Sequence, residues 1–416
     1  MFNFEEYTEM NEAAESLQEN REQNIQRIVK ILDNSGFEVL DNLTDKNLED
    51  LVLRLTAKDP KGDADRLDQL IDVLFGANAE VPYKLKKDGT PKRSPSGKNK
   101  GQPMPDKESE EFKNLLPQRL GGSNKVNELK KAIKGALKKS SAPTPEKLLY
   151  IYRLTQDSNL FDISKLIKAQ ITNSVVDLLP AGLPKSVSGD FFSAIAPVAP
   201  TGLGPGELWL VLHIKNGKLD GGKGGAAGDI NTMDGNNSIE VKGADGMMTF
   251  GNPKHRGTGW SGAARVIKKA VNIEVGKKEF PDFMNHTGEA YKAFSSLPKT
   301  KQSSFAVDIM RAYMDPYTFD DKDVKDYASN FLKLSGDAWR EYHMKMSVYG
   351  YWKYKDKASG GSSFKAILFL DKRSGRFATI NCDGGKVKVP SGMKISSINW
   401  INDYTNYADG STVVSF

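Results

Sequence analysis

The chain is short of soft metal ligands. Of 416 residues one is cysteine, Cys382, and four are histidine: His213, His255, His286 and His343. A disulfide within the chain is excluded, and so is a cysteine-cluster zinc site. No two histidines have metal-ligand spacing. A bound metal would therefore rest on carboxylate oxygens, which favours magnesium, manganese or calcium. Long apolar runs are also missing, and none approaches the ~20 residues that would span a membrane. The opening stretch MFNFEEYTEMNEAAESLQEN is acidic and lacks the apolar centre of a signal peptide. These absences predict a reduced, cytoplasmic protein with no membrane partner.

What is present has the balance of a soluble globular chain, long enough for roughly two to three domains. The formal net charge of +6 is small for this length, but the basic residues cluster between positions 84 and 139. Residues 4–33 have few helix breakers, and Gly36 follows them. In DKNLEDLVLRLT, Leu48, Leu51, Leu53 and Leu55 supply an apolar face; in DADRLDQLIDVLFG, Leu67, Leu70, Ile71, Leu74 and Phe75 recur at helical spacing. Together they predict a helical N-terminal unit over 1–79. Residues 80–120, rich in Pro, Gly, Ser and Lys, read as a basic flexible linker. There Lys84, Lys86, Lys87, Lys92, Arg93, Lys98 and Lys100 face Asp88 alone. They are either solvated or an arm that neutralises nucleic-acid phosphates.

Residues 121–180 form a basic helical region. In SNKVNELKKAIKGALKK, Val126, Leu129, Ile133 and Leu137 make an apolar face, and Lys125, Lys130, Lys131, Lys134, Lys138 and Lys139 cover much of the rest. The helical pattern continues to about residue 179. From 181 to 416 glycine and proline interrupt the chain and strands become plausible, so this part is expected to be the α/β catalytic domain. Two strand-like runs, Phe364–Leu370 and Arg376–Asn381, flank the turn DKRSG and predict a hairpin.

The stretch GGKGGAAGDINTMDGNNSIEVKG, residues 221–243, admits two readings. Gly217, four residues, Gly222 and Lys223 approach a phosphate loop, with the apolar run ELWLVLHI upstream as its strand. The hydroxyl that would hold magnesium is replaced by Gly224, and Gly224, Gly225 and Gly228 weaken any following helix. In the other reading, Asp229 precedes the tight-turn sequence DGNN at 234–237. A strand follows with Glu240 and Lys242 on one face and Ile239 and Val241 on the other. Two carboxylates and one amine then converge. Carboxylate oxygens hold a hard divalent cation, which polarises a phosphodiester and acidifies bound water. The lysine orients or deprotonates that water and offsets charge on the phosphorane.

Asp229 in GDI, ten further residues and EVK at 240–242 resemble the PD-(D/E)XK nuclease superfamily. The likeness spans about residues 200–275. Gly228 stands where a proline often precedes the aspartate. The resemblance implies a restriction-endonuclease-like core: an α/β fold with a mixed central sheet flanked by helices, preceded here by a mainly helical N-terminal region. It also implies Mg2+-dependent cleavage of DNA, with Mn2+ as a substitute. Families of this kind often add an acid on the helix before the first core strand, and Glu207 in GPGELWLVLHI is the candidate third metal ligand. Lys223, Lys254, His255, Arg256, Arg265 and Lys268 are the candidate DNA-binding residues. Ser261 would cap a helix bearing Arg265, Lys268 and Lys269, with Val266, Ile267 and Val271 facing a core. In WREYHMKMSVYGYWKYKDK, residues 339–357, aromatics alternate with lysines. They either stack on bases or pack inward.

The leading expectation is a metal-dependent DNA endonuclease acting on double-stranded DNA. Many enzymes of this superfamily cut both strands as dimers, so a homodimer is compatible with it. A phage-encoded member, working in host cytoplasm or virion, fits as well. The alternatives are a DNA-binding or virion structural protein with an inactive nuclease-like core, and a nucleotide-dependent enzyme built on the Gly217–Gly224 loop.

Overall fold

The computed structural model describes most of residues 84–416 and a few positions between 71 and 75. Residues 1–70, 221–227, 251–262, 270–293 and 399–410 lie outside it, with shorter gaps elsewhere. The expected helical unit 1–79 is thus almost wholly outside the described residues, although Ile71, Leu74 and Phe75 near its end are buried. Among the described residues no helix is long and apolar enough to cross a membrane.

The helices used below are α1 (Leu116–Leu120), α2 (Ser123–Lys139), α3 (Thr144–Leu154), α4 (Ser164–Ile167), α5 (Lys185–Ile195), α6 (Glu207–His213), α7 (Lys299–Tyr313), α8 (Asp321–Lys333) and α9 (Gly336–Ser359). The strands are β1 (Gln170–Thr172), β2 (Gly217–Leu219), β3 (Ile230–Thr232), β4 (Ser238–Gly243), β5 (Met247–Thr249), β6 (Ala366–Leu370), β7 (Phe377–Asn381), β8 (Lys394–Ile398) and β9 (Ser411–Ser415). The chain divides into two compact units that alternate along it. One takes Met1–Asp162, Val176–Pro200 and Leu208–Asn216; the other takes Ile163–Val175, Thr201–Glu207 and Gly217–Phe416. Composition suggested consecutive blocks divided near residues 79, 120 and 180. A core needs spatial contact rather than contiguity, and composition does not report which segments return to it.

The first unit is helical. Leu129, Ile133, Ala136 and Leu137 of α2 are buried, and α5 packs on α2 and α3. Lys131, Lys134, Lys138 and Lys139 lie on the exposed side of α2, as the spacing predicts. On α6, Trp209 stacks on His213 with ring centroids 4.2 Å apart. The His213 Nδ1 donates to the Trp209 carbonyl (2.7 Å), so Nε2 is left to accept from the Tyr150 hydroxyl (2.7 Å). Burial drives the His213 pKa down to about 4, which keeps the ring neutral. Arg119 donates to the carbonyls of Val211 (2.7 Å) and Ile214 (3.0 Å) at the C-terminal end of α6, where carbonyls lack helical partners. Around residues 84–104, expected as a linker, the described residues are mostly exposed, yet the backbone pairs with itself. Leu85 bridges Pro91 and Arg93 bridges Pro103, with Lys84 N bonded to Met104 O at 2.9 Å and Lys92 N to Lys84 O at 2.7 Å. Backbone amides seek partners whatever their side chains.

The second unit is α/β. Its main sheet has six strands in the order β1-β7-β6-β4-β3-β2. β4 and β6 are parallel and every other pair is antiparallel, so the sheet is mixed. Every residue of β6, AILFL, is buried, as a strand covered on both faces requires. The hairpin expected around DKRSG is β6–β7. The helical pattern expected through residue 179 is interrupted. α4 is one turn, and Gln170–Thr172 form β1, paired with Thr379, Ala378 and Phe377. Ile171 and Thr172 are β-branched and suit a strand, and the free edge of β7 decides the outcome. β5, β9 and β8 make a separate antiparallel sheet.

The aromatics of α9 pack inward. Trp339 and His343 are fully buried. The Tyr327 hydroxyl pairs with His343 Nδ1 (2.6 Å), and Phe250 stacks on the same imidazole with centroids 5.4 Å apart. α8 opens with a capping box between Asp320 and Asp323. Lys353 of α9 bonds both carboxylates, at 3.0 and 2.6 Å, tying the two helices together. Chemical denaturation will separate these contributions. Trp339→Ala, which empties a core position, is expected to lose about 3–5 kcal/mol, and Asp320→Ala about 1 kcal/mol.

Candidate functional site

The site is built on one hairpin. Asp234 closes its turn by accepting from the amide of Asn236 (3.1 Å), and Gly235 takes the left-handed conformation (φ 70°) that the turn needs. The register follows: Ile230 faces Ile239 and Asn231 faces Ser238. One step further along, Asp229 stands across from Glu240, its amide donating to the Ile239 carbonyl at 2.9 Å. Asp229 Oδ2 accepts from the amide of Val241 (2.8 Å), which fixes the carboxylate against β4. The glycine before it has a steric reason. A Cβ at position 228 would fall 2.7 Å from the Ile239 carbonyl oxygen.

Glu240 and Lys242 project from the same face of β4. Glu240 is 2% exposed. Its Oε1 accepts from Lys242 Nζ and from the Tyr351 hydroxyl. Its Oε2 is buried with no hydrogen-bond partner, and Lys355 Nζ stands 3.7 Å away. Glu207 opens α6, is 4% exposed, and accepts from the Gly204 amide through Oε1 (2.6 Å). Its carboxylate feels the charges of Asp229, Glu240 and Lys242. Asp229, Glu240 and Lys242 thus lie together on the hairpin, and Glu207 is within electrostatic reach of all three.

Their electrostatics are those of crowded, dehydrated acids. Burial, then the charge of Asp229, pushes Glu207 up to about 8. Burial, then the charge of Glu240, pushes Asp229 up to about 6. Burial also opposes ionisation of Glu240, but Lys242 and Lys355 outweigh it and hold the group below the usual range. Burial works against the Lys242 ammonium, and the three carboxylates more than compensate, raising its pKa. Tyr351 is pushed far up by burial and by Glu240, so it stays a hydroxyl donor.

A hard divalent cation suits this donor set. The candidate ligands are all carboxylates, one oxygen is buried and without a hydrogen-bond partner, and burial, then mutual repulsion, raises the pKa of Glu207 and Asp229. Among the described residues no group of three or more His, Cys, Asp or Glu side chains is placed so that it could hold a metal ion. Asp229 and Glu240 are the residues that would hold the ion, with Glu207 behind them.

Other expectations fare differently. Arg265 lies exposed on a helical stretch whose Ile267 and Ala263 are buried, as the spacing predicts. Lys223, Lys254, His255, Arg256 and Lys268 lie outside the described residues. ELWLVLHI is the helix α6, and Gly217 lies within β2, so the strand needed before a phosphate loop is not there. Tyr351 and Lys355 were not connected with the site by sequence. Their signal was the four-residue spacing that puts both on one face of a helix.

The raised acids set a pH dependence. A group whose folded pKa exceeds its unfolded value, about 4 for these acids, stabilises the fold below that value and loses the contribution as pH rises through the folded one. In chelator, the melting temperature should therefore fall between pH 5 and 8, through the values of about 6 and about 8. Glu207→Gln should flatten the upper part of that fall in circular-dichroism melts; parallel curves would contradict the assignment.

Comparison with protein-family models, curated proteins and solved structures returns no match for the chain.

Proposed function

We propose that the protein is a metal-dependent endodeoxyribonuclease with a restriction-endonuclease-like core of the PD-(D/E)XK kind. One observation carries the reading: Asp229 and Glu240 face each other across adjacent strands, with Lys242 on the same face and Glu207 entering from the preceding helix. The order of elements supports it. After β1, α6 leads into the meander β2–β3–β4, helices follow, and β6 then returns parallel to β4.

When bound, a Mg2+ ion would polarise the phosphodiester and lower the pKa of a water molecule. Asp229 and Glu240 would hold it through carboxylate oxygens. Lys242, protonated by its acidic surroundings, serves as a cation and donor: it orients the attacking water and offsets charge on the phosphorane. Tyr351 and Lys242 both hold Glu240 Oε1, so Oε2 would be the oxygen available to an ion. Burial of Glu207 and Glu240 limits competing water and strengthens each of these interactions.

The test is nicking and linearisation of plasmid DNA with Mg2+ or Mn2+. Asp229→Ala and Lys242→Ala should each lower the rate at least about 100-fold, the scale of a lost proton-transfer or charge-stabilising group. Variants that cut like the parent would refute the reading. Salt-sensitive DNA binding with no cleavage under any metal would instead favour a DNA-binding protein with an inactive core, for which the exposed lysines of α2 are the supporting feature.

A further inference from the structure

The site contains a second lysine that the reading above leaves idle. Lys355 follows Tyr351 by four residues on α9, so the two side chains leave one face of the helix. Its Nζ lies 5.7 Å from the centroid of the Tyr351 ring, which Lys242 also approaches, at 5.3 Å. The two ammonium groups therefore flank one tyrosine and one carboxylate. Their situations differ. Lys242 is bonded to Glu240 Oε1 and grows from the same strand. Lys355 stands 3.7 Å from Oε2, too far for a hydrogen bond, and Oε2 has no other partner. The two lysine side chains are similarly exposed, 22% for Lys355 and 23% for Lys242, so what distinguishes them is the hydrogen bond to Glu240. Moving it away breaks no hydrogen bond to Glu240.

We propose that Lys355 is the phosphate-holding lysine of this site: it shields Glu240 Oε2 until a divalent cation takes that oxygen, and then turns to a non-bridging oxygen of the DNA phosphodiester. The proposal rests on the nuclease reading. Charge balance favours it. Fully ionised, three carboxylates and two ammonium groups carry one net negative charge. A divalent ion reverses that to one positive charge, which matches a singly charged phosphodiester. Without Lys355 the metal-loaded site would carry no net charge, leaving the phosphate to the ion and Lys242 alone. A lysine on a four-carbon stem is suited to such a move, since its charge is compact and its donors rotate freely.

The test compares wild type with Lys355→Met, which keeps the apolar stem, Lys355→Gln as a second neutral variant, and Lys355→Arg. Melting curves establish folding. Mn2+ binding is measured by titration calorimetry, and binding of a DNA duplex is measured in Ca2+ across a range of salt. Both neutral variants should bind Mn2+ several-fold tighter, because a competing cation has gone. They should bind duplex more weakly, with a salt slope smaller by about 0.9, the value of one phosphate contact. Lys355→Arg should restore the slope. Unchanged or weaker Mn2+ binding by a folded neutral variant, or an unchanged slope, overturns the role of Lys355 alone if wild type binds Mn2+ and cuts DNA. Failure of wild type to bind Mn2+ overturns both proposals.

Discussion

Burial of Glu240 is the constraint on which the second unit depends. An ionised carboxylate taken out of water costs several kcal/mol unless charge and hydrogen bonds are returned to it. Here the return comes from two directions, from Lys242 on its own strand and from Tyr351 and Lys355 on α9. The α9 helix must consequently hold one rotation and one height against the sheet. Trp339, His343 and Val348, all fully buried, fix that setting from the apolar side. The aromatic core and the acidic site are thus two ends of one arrangement: a helix shifted by a turn would lose packing and expose the carboxylate to an uncompensated charge deficit together.

Register matters as much as packing. In a hairpin a slip of one residue turns every side chain to the opposite face. The bonds of Asp234 and the left-handed Gly235 define where the turn falls, and with it whether Asp229 meets Glu240 or Ile239. The central position of β4, antiparallel to β3 and parallel to β6, then leaves the acidic pair little backbone freedom. Such rigidity suits groups that must hold charge in a fixed geometry.

Much of this was legible in the sequence, for local reasons. DGNN announced its turn, alternation put Glu240 and Lys242 on one face, and DKRSG marked the β6–β7 hairpin. Glu207 was a candidate through the family resemblance, and the glycine and proline before it marked a helix start. What stayed hidden was set by distant partners. Gln170–Thr172 became a strand because β7 offered an edge, a preference no window around residue 170 contains. Tyr351 and Lys355 sit more than a hundred positions beyond Glu240, and a helix with apolar and basic residues all round gives no hint of which face meets an acid. The division into alternating units was invisible for the same reason.

The distance between Glu240 and Tyr351, 111 positions along the chain, also orders events during synthesis. The hairpin that carries Asp229 and Glu240 leaves the ribosome early and closes quickly through local pairing. At that point Glu240 has neither Tyr351 nor Lys355, and β4 has no parallel neighbour. Both acids are still hydrated and weakly placed. Only after α9 and β6 have emerged does the carboxylate become enclosed. A newborn chain therefore passes through an interval in which Asp229, Glu240 and Lys242 have emerged and their partners on α9 have not, so that the enclosed cluster forms last, with the closing of the fold.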